Sequence, residues 1–451
     1  MLIEFYGKNF GCFRDEFRLS MVAADIDPGN DRGVVEVKLD GHKEPLRLLR
    51  AAAIFGANAS GKSTVLRAAR ALGSLLRYSA VFGSWRHVYD RGVDDSDAAL
   101  LADLLEPFAL GKASEICELG VHAAFDGKLY HYQVAATTKR VVEEQLEQVG
   151  IDGEGTVLFH RRAKQVTGQW RDQEGGNFAV ICEDFRDDAL LLSLAAAMAP
   201  MQARKTWHGL CRALGVSTAA ELLPSGFQPR ITDQVLRHLL HEDDDFRRWT
   251  EDRLRAADTG VTRIEVKKER QPAASPGGEA QRSVFTPMLR YSISLRHAGD
   301  GVEHELPFHR ESDGTRAMLQ LAPVVYGLTH PTPSAATFFV DEIHESLHPA
   351  LLRAVIGHFN CEAPKERVYG QLVFATHETS LLDGEAKDNI LRRDQVYFTK
   401  KLADGAATLY SLVEFKERNN LNLRKRYLEG RYGALPNVDQ LGEPSAGETS
   451  E

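Results

Sequence analysis

The segment Gly56-Ala57-Asn58-Ala59-Ser60-Gly61-Lys62-Ser63 constrains this chain more than any other feature. It fits GxxxxGK[ST] in full. Glycines let a backbone wrap tightly, so that several N–H groups point at one anion. Lys62 adds a positive charge suited to β- and γ-phosphates, and the Ser63 hydroxyl suits Mg²⁺. The flanks supply the context such a loop needs. Leu48 to Phe55 is a short apolar run, expected as a buried strand, and Ser63 to Leu76 has helical periodicity. Strand, glycine loop and helix together make Gly56 to Ser63, with the adjoining Thr64, candidate ATP-binding residues. The fold class that follows is α/β, of the P-loop NTPase type.

Four later stretches fall in an order that belongs with such a loop. Thr337 to Val340 is apolar and ends in Asp341-Glu342. Carboxylates at the tip of a buried strand beside a phosphate loop divide two tasks: Asp341 is the candidate Mg²⁺ ligand, and Glu342 the candidate general base that polarises the attacking water. Ser346-Leu347-His348-Pro349 follows. Gln371 to Ala375 is a further buried run, and it ends in Thr376-His377, where His377 is placed to contact a γ-phosphate. Upstream, Glu311-Ser312-Asp313-Gly314-Thr315 opens a helix expected over 316–326. Serine, glycine and a helix N-terminus can make an anion site, and Ser312 or Asp313 can equally be an ordinary N-cap. Ser312 and Gly314 are candidate nucleotide contacts. If their own phosphate loop lies too far away, they must meet the nucleotide held by a second subunit.

The rest of the chain sets limits. With 451 residues it has room for two or three domains. No run of about eighteen apolar residues suggests a membrane span. Five scattered cysteines without CxxC spacing argue against a zinc module and for a cytoplasmic setting. A net charge of −9 disfavours a chain that coats nucleic acid unspecifically, although a local basic patch remains open. Residues 1–24 alternate as a strand pair at a sheet edge would, and 117–136 and 155–182 are expected as strands. Residues 185–258 are expected as charged helices, with Glu242-Asp243-Asp244-Asp245 as a metal or partner contact or, on the blander reading, a helix start. Gln271 to Ser283 reads as a loop. Phe415 to Gly430 reads as a basic helix whose Lys416, Arg418, Arg424, Lys425 and Arg426, with Arg431, face nucleic acid, an acidic partner or merely solvent. The expected organisation is an N-terminal head part (1–184), a helical insertion with a loop (185–284), a C-terminal head part (285–440) and a polar tail (441–451).

With these motifs in place, the chain resembles the bacterial ABC-like AAA-family ATPases of antiphage defence and abortive-infection loci, such as the Septu and PARIS ATPase subunits. These are relatives of the RecF, SMC and OLD heads. The resemblance runs over most of the chain. Phe10-Gly11-Cys12-Phe13-Arg14-Asp15-Glu16 is similar to the family's opening strand turn, and Phe55 to Ser63 to its phosphate loop. Glu311 to Arg316 is similar to its signature, Asp341-Glu342 with Ser346 to Pro349 to its Walker B and D-loop, and Thr376-His377 to its switch. Arg393-Asp394-Gln395 and Tyr427 to Pro436 resemble two further C-terminal blocks. The resemblance implies an ABC-type ATPase head that hydrolyses ATP with Mg²⁺, with Lys62, Glu342 and His377 catalytic. It also implies a homodimer or higher oligomer closing around the nucleotide, and a separately encoded effector, a nuclease above all. Two departures stand out. Asp313 occupies a position where transporters and SMC proteins have glycine, and no glutamine is firmly assignable to the Q-loop, Gln145 being the candidate. The length leaves no room for a fused TOPRIM nuclease.

Other readings share parts of this pattern. A RecF- or SMC-like repair ATPase would bind DNA directly and use the same head chemistry, but no long heptad run supports an SMC arm. In transporter subunits the signature follows the phosphate loop far more closely than here. A small-molecule kinase would account for the loop but not for the signature or the switch histidine.

Overall fold

The computed structural model describes the chain outside residues 27–30, 81–99, 111–113, 151–152, 174–176, 199–200, 216–235, 237–239, 271–288, 300–301, 331–335, 361–369, 384–388, 416–421 and 437–451. The loop Gln271 to Ser283, Lys416, Arg418 and the polar tail 441–451 therefore lie outside the described residues.

The central sheet has the strand order Ala336–Val340, Gly370–Ala375, Ala51–Gly56, Val396–Lys401, Ala407–Ser411. The first four strands are parallel and the last is antiparallel. Parallel strands covered on both faces read as unbroken apolar runs, and both AAAIFG and GQLVFA are buried at every position. Side chains alternate between faces along a strand. Ala52, Ile54, Val373 and Ala375 enter one core, and Ala51, Ala53, Phe55, Leu372 and Phe374 enter another. The strand ending at Asp341 is not adjacent to the phosphate-loop strand. Gly370–Ala375 lies between them, so three C-terminal strand ends stand side by side. That edge is where open α/β sheets bind ligands.

The first core is closed by a seven-stranded antiparallel sheet. Its order is Gln165–Thr167, Gly155–Arg162, Val141–Val149, Lys128–Ala136, Cys117–Phe125, Leu2–Lys8, Phe17–Ser20. The helix Lys62–Tyr78 lies between this sheet and the parallel one, burying Val65, Leu66, Leu72, Leu75 and Leu76. The N-terminal strand pair and its edge position agree with the sequence. Residues 169–182 do not: they form the short helices Gln169–Gln173 and Asn177–Glu183 instead of strand.

The segment expected as one helical insertion divides between two cores. Leu191–Met198 and Met201–Ala213 pack into the first core. The buried Glu144 accepts the N–H groups of Leu191 (2.6 Å) and Leu192 (3.0 Å), while Arg161 donates to Ala189 O at 2.6 Å. A carboxylate at a helix N-terminus satisfies otherwise unpaired donors, so this polar pair fixes the helix to the sheet. The remainder builds a separate unit. The helix Asp244–Ala256 and an antiparallel sheet of Val261–Arg270, Leu289–Gly299 and Val302–Pro307 pack against the helix Asp313–Thr329 through Phe246, Leu254, Ile264, Leu295 and Leu319. In the acidic cluster, Asp243 is the N-cap, accepting the Phe246 N–H at 2.8 Å, and Asp244 and Asp245 pair with Arg247 and Arg248. The cluster is a helix start.

The basic C-terminal helix is shorter than expected. It spans Leu423–Leu428, after a 3-10 turn at Leu412–Phe415. Tyr427 and Tyr432 stack on Phe398 of the central sheet at 5.6 and 5.0 Å between ring centroids. Arg424 pairs with Asp383 at 3.0 Å. Much of this segment is therefore cover for the second core.

Candidate nucleotide site

The phosphate loop turns from the strand Ala51–Gly56 into the helix Lys62–Tyr78. Gly61 sits at the helix N-cap with φ of +109°, where a side chain would be strained. A Cβ there would also stand 2.9 Å from Cys12 Sγ and 3.0 Å from the Phe13 ring. No side chain caps this helix; the Thr64 N–H turns back to Gly61 O at 3.1 Å, and Lys62 and Ser63, whose N–H groups open the helix, line the cavity. Ser60 Oγ lies 2.6 Å from Thr399 Oγ1 of the neighbouring strand, which pins the loop's outer curve.

Lys62 folds back onto its own loop. Its Nζ donates to Gly56 O and Ala57 O, each at 3.0 Å. Burial pulls its pKa down, and Glu342 and then Asp341 draw it back up. The ammonium is thus held among acceptors weaker than a phosphate would be.

The loop floors a cavity of about 780 Å³, a size suited to a small-molecule ligand. Asn58 to Thr64, with Arg67, form one wall, and Glu342 and His377 form another. A third comes from Gly11-Cys12 and the segment 106–110. That third wall is held by the Asn9 turn. Asn9 has a positive φ of 53°, its Nδ2 donates to Ile116 O at 2.8 Å, and its Oδ1 accepts the Phe108 N–H at 3.2 Å. Gly11 N donates to Glu106 O at 2.6 Å. The opening Phe10 to Glu16 turn is therefore part of the site.

Asp341 and Glu342 follow the strand Ala336–Val340. Glu342 adopts φ of +48°, and its N–H is held by Asp341 Oδ1 at 3.1 Å. This bend turns the two carboxylates apart: Glu342 lines the cavity, whereas Asp341 is not a wall residue and acts on Lys62 through its charge. Glu342 Oε2 lies 3.1 Å from His344 Nε2 and 3.4 Å from His377 Nδ1. The two imidazoles meet edge to face at 3.8 Å, and His344 Nδ1 is 2.9 Å from Thr376 Oγ1. Burial, then the neighbouring His377, lowers the pKa of His344, opposed by Glu342. His344 was not singled out from the sequence. Its place two residues after Glu342 carries no signal by itself; the contacts with Thr376 and His377 give it one.

The signature residues are elsewhere. Ser312 is the N-cap of its helix, accepting the Thr315 N–H at 3.1 Å, and its Oγ is 2.9 Å from Thr315 Oγ1. Asp313 pairs with Arg316. Glu311 is buried and lies 2.8 Å from His297 Nε2. Gly314 packs against the turn after Glu342, where a Cβ would stand 3.2 Å from Ser346 O. Ser312 and Gly314 do not line the cavity of their own chain. Gln145 is not at the site either. It lies in the large antiparallel sheet, accepting from Gln133 at 2.9 Å, which removes it as a Q-loop glutamine.

Of the oxygen donors expected for Mg²⁺, the Ser63 hydroxyl lines the cavity, whereas Asp341 stands off its wall and reaches the site through its charge on Lys62. Because this ion keeps several waters beside phosphates, Ser63 would hold it directly and Asp341 through water.

Loop, strand order and carboxylates define a P-loop NTPase with mixed α/β content. The chain belongs to the family described as "AAA domain, putative AbiEii toxin, Type IV TA system", whose model matches residues 51–383. It is thus an ATPase of the ABC/AAA class. Among solved structures it is similar to the SMC head domain from Thermotoga maritima, at 13% identity and a TM-score of 0.36, covering 91% of this chain and 98% of that one. It is also similar to the recombination mediator RecF in the RecFOR pathway, at 11% identity and 0.32, with coverage of 91% and 98%. No curated protein matches. Among the described residues, no helix is long and apolar enough to cross a membrane.

Proposed function

We propose that this chain binds ATP with Mg²⁺ in the cavity above Gly61 and hydrolyses it to ADP and phosphate, and that two copies close around the nucleotide. The observation that carries this reading is the convergence of Lys62, Glu342 and His377 on one cavity from three adjacent strand ends. Lys62 exchanges its two loop carbonyls for β- and γ-phosphate oxygens. Main-chain N–H groups of Gly56 to Thr64 cradle the same phosphates. Mg²⁺, held by Ser63 and Asp341, would neutralise phosphate charge. Glu342, positioned by His344 and His377, accepts the proton of the attacking water. His377 faces the γ-phosphate from the next strand and steadies the charge that builds there. Such a site works by positioning and electrostatics, without a covalent intermediate.

Ser312 and Gly314 complete the site from the second copy, a reading supported by their absence from the cavity of their own chain. At the biological level we read the chain as the cytoplasmic ATPase subunit of a bacterial antiphage, abortive-infection system that regulates a separately encoded effector, a nuclease above all. The toxin–antitoxin description of its family supports this. The unit built on the helix Asp244–Ala256 and its three-stranded sheet is the candidate seat of trigger or partner specificity. The test is affinity capture of Glu342→Gln protein co-expressed with its genomic neighbours, with and without ATP. A stoichiometric nuclease or toxin supports the reading. Capture of DNA alone, dependent on ATP, replaces it with direct DNA binding of the repair kind.

A further inference from the structure

We propose that Glu342, His344 and His377 form a binding site for a divalent transition-metal ion of the zinc type, and that an ion held there takes Glu342 out of use as a base. The three residues are the cluster of metal-capable side chains among the described residues, with donor atoms all within 4.8 Å of one another. Zinc bonds of about 2.0–2.2 Å to nitrogen and oxygen put neighbouring donors of a tetrahedral site roughly 3.3–3.5 Å apart. Glu342 Oε2 stands 3.1 Å from His344 Nε2 and 3.4 Å from His377 Nδ1, so the two edges through Glu342 are already near that length, and the third, between the imidazoles, lies within 4.8 Å.

The cluster also has the outer support that metal sites use. A ligating histidine commonly has its second ring nitrogen fixed by a hydrogen bond, which sets the tautomer. His344 Nδ1 has this partner in Thr376 Oγ1 at 2.9 Å. Thr376 is itself buried, and its hydroxyl accepts the Glu378 N–H at 3.0 Å, leaving a second lone pair for His344 Nδ1–H. In that tautomer His344 Nε2 carries the lone pair that an ion between it and Glu342 Oε2 would take. Glu342 and His377 face the cavity, so a fourth position opens toward solvent or a phosphate oxygen.

Two imidazoles and one carboxylate favour zinc, cobalt or nickel over the oxygen-seeking Mg²⁺. The site is thus chemically distinct from the one expected at Ser63 and Asp341. Once Glu342 Oε2 donates a lone pair to the ion, the carboxylate loses most of its basicity and takes a proton from water poorly. This inhibitory consequence rests on the ATPase reading, whereas binding itself does not.

The experiment uses full-length, nucleotide-free protein stripped of metal. Zinc is titrated by calorimetry and by competition with a chromophoric chelator, and X-ray absorption of the zinc-loaded protein reports its ligands. One equivalent is expected, with two imidazoles and oxygen in the first shell. His344→Ala and His377→Ala are each expected to weaken binding by more than the roughly 10–100-fold that loss of an outer-shell partner costs, and Thr376→Val by about 10-fold. Melting curves establish that each variant is folded; the absorption spectrum of the unmutated protein stands without them. Lys62→Ala should still bind zinc, and zinc should suppress turnover of the unmutated protein in excess Mg²⁺. Absence of a stoichiometric site, sulfur ligation, or unchanged affinity in folded His344→Ala overturns the proposal. Zinc binding to a protein that never turns over ATP would leave it intact and remove the ATPase reading instead.

Discussion

Two helices of this chain begin with the same ingredients, serine and glycine at an N-terminus, and the structure treats them in opposite ways. At Lys62–Tyr78 the cap is Gly61, in a left-handed conformation, with no side chain taking up the first N–H groups. At Asp313–Thr329 the cap is Ser312, whose oxygen accepts the Thr315 N–H, and Asp313 is already paired with Arg316. The first helix start is left wanting an anion. The second is satisfied and stands outside the cavity. The difference shows that residue types alone do not make an anion site: what matters is whether the chain spends its own acceptors on the helix end.

Four substitutions sharpen or break this contrast, from the largest effect down. Glu342→Gln should lower steady-state ATP turnover by about 10²–10⁴-fold with little loss of ATP affinity, because it removes proton acceptance alone. Turnover within a few-fold of normal would remove Glu342 as the base. Lys62→Ala should weaken ATP binding in a fluorescence titration by about 10–150-fold, the worth of charge-assisted hydrogen bonds of roughly 1.5–3 kcal/mol. Retained affinity would mean the open helix end suffices without the lysine. Ser312→Arg should abolish ATP-dependent association in light scattering while changing single-chain ATP affinity by no more than about two-fold, as surface changes do. Equal loss of both would place the signature in its own chain's site. Ser312→Ala should cost about 1 kcal/mol of stability through the lost cap, read as a small drop in melting temperature. No drop would mean the cap is not formed in solution.

Much of the nucleotide edge was legible because its inner strands are buried on both faces. AAAIFG and GQLVFA are buried at every position and ATFFV at alternate ones, and the polar pairs Asp341-Glu342 and Thr376-His377 that follow ATFFV and GQLVFA stand out by contrast. The large antiparallel sheet was harder. Its strand Val141–Val149 reads VVEEQLEQV, rich in residues that favour helix, and tertiary pairing overrides that preference. Its one fully buried acid, Glu144, has a purpose only when Leu191, Tyr132 and Arg161 are in place around it. Residues 155–182 read as strands, yet Trp170 and Phe178 come from two short helices and meet edge to face at 5.6 Å between ring centroids. His344 was missed because one histidine two residues past a carboxylate is uninformative until Thr376 and His377 arrive from another strand. The Phe10 to Glu16 turn was recognised as a motif, but only its contacts with Gly61 and Glu106, and the anchoring of the preceding Asn9 to Phe108 and Ile116, make it a wall of the site.

We propose that the phosphate loop of one chain is completed by Ser312 and Gly314 of another. Mixing two individually impaired proteins tests it most directly. Lys62→Ala lacks a working loop and Ser312→Arg a working signature, so neither should turn over ATP alone. Combined, they can form one composite site from the intact loop of the second and the intact signature of the first, and ATP hydrolysis should return in the mixture. Ser312→Arg protein that hydrolyses ATP at the unmutated rate by itself, or a mixture as inactive as its parts, would contradict the account.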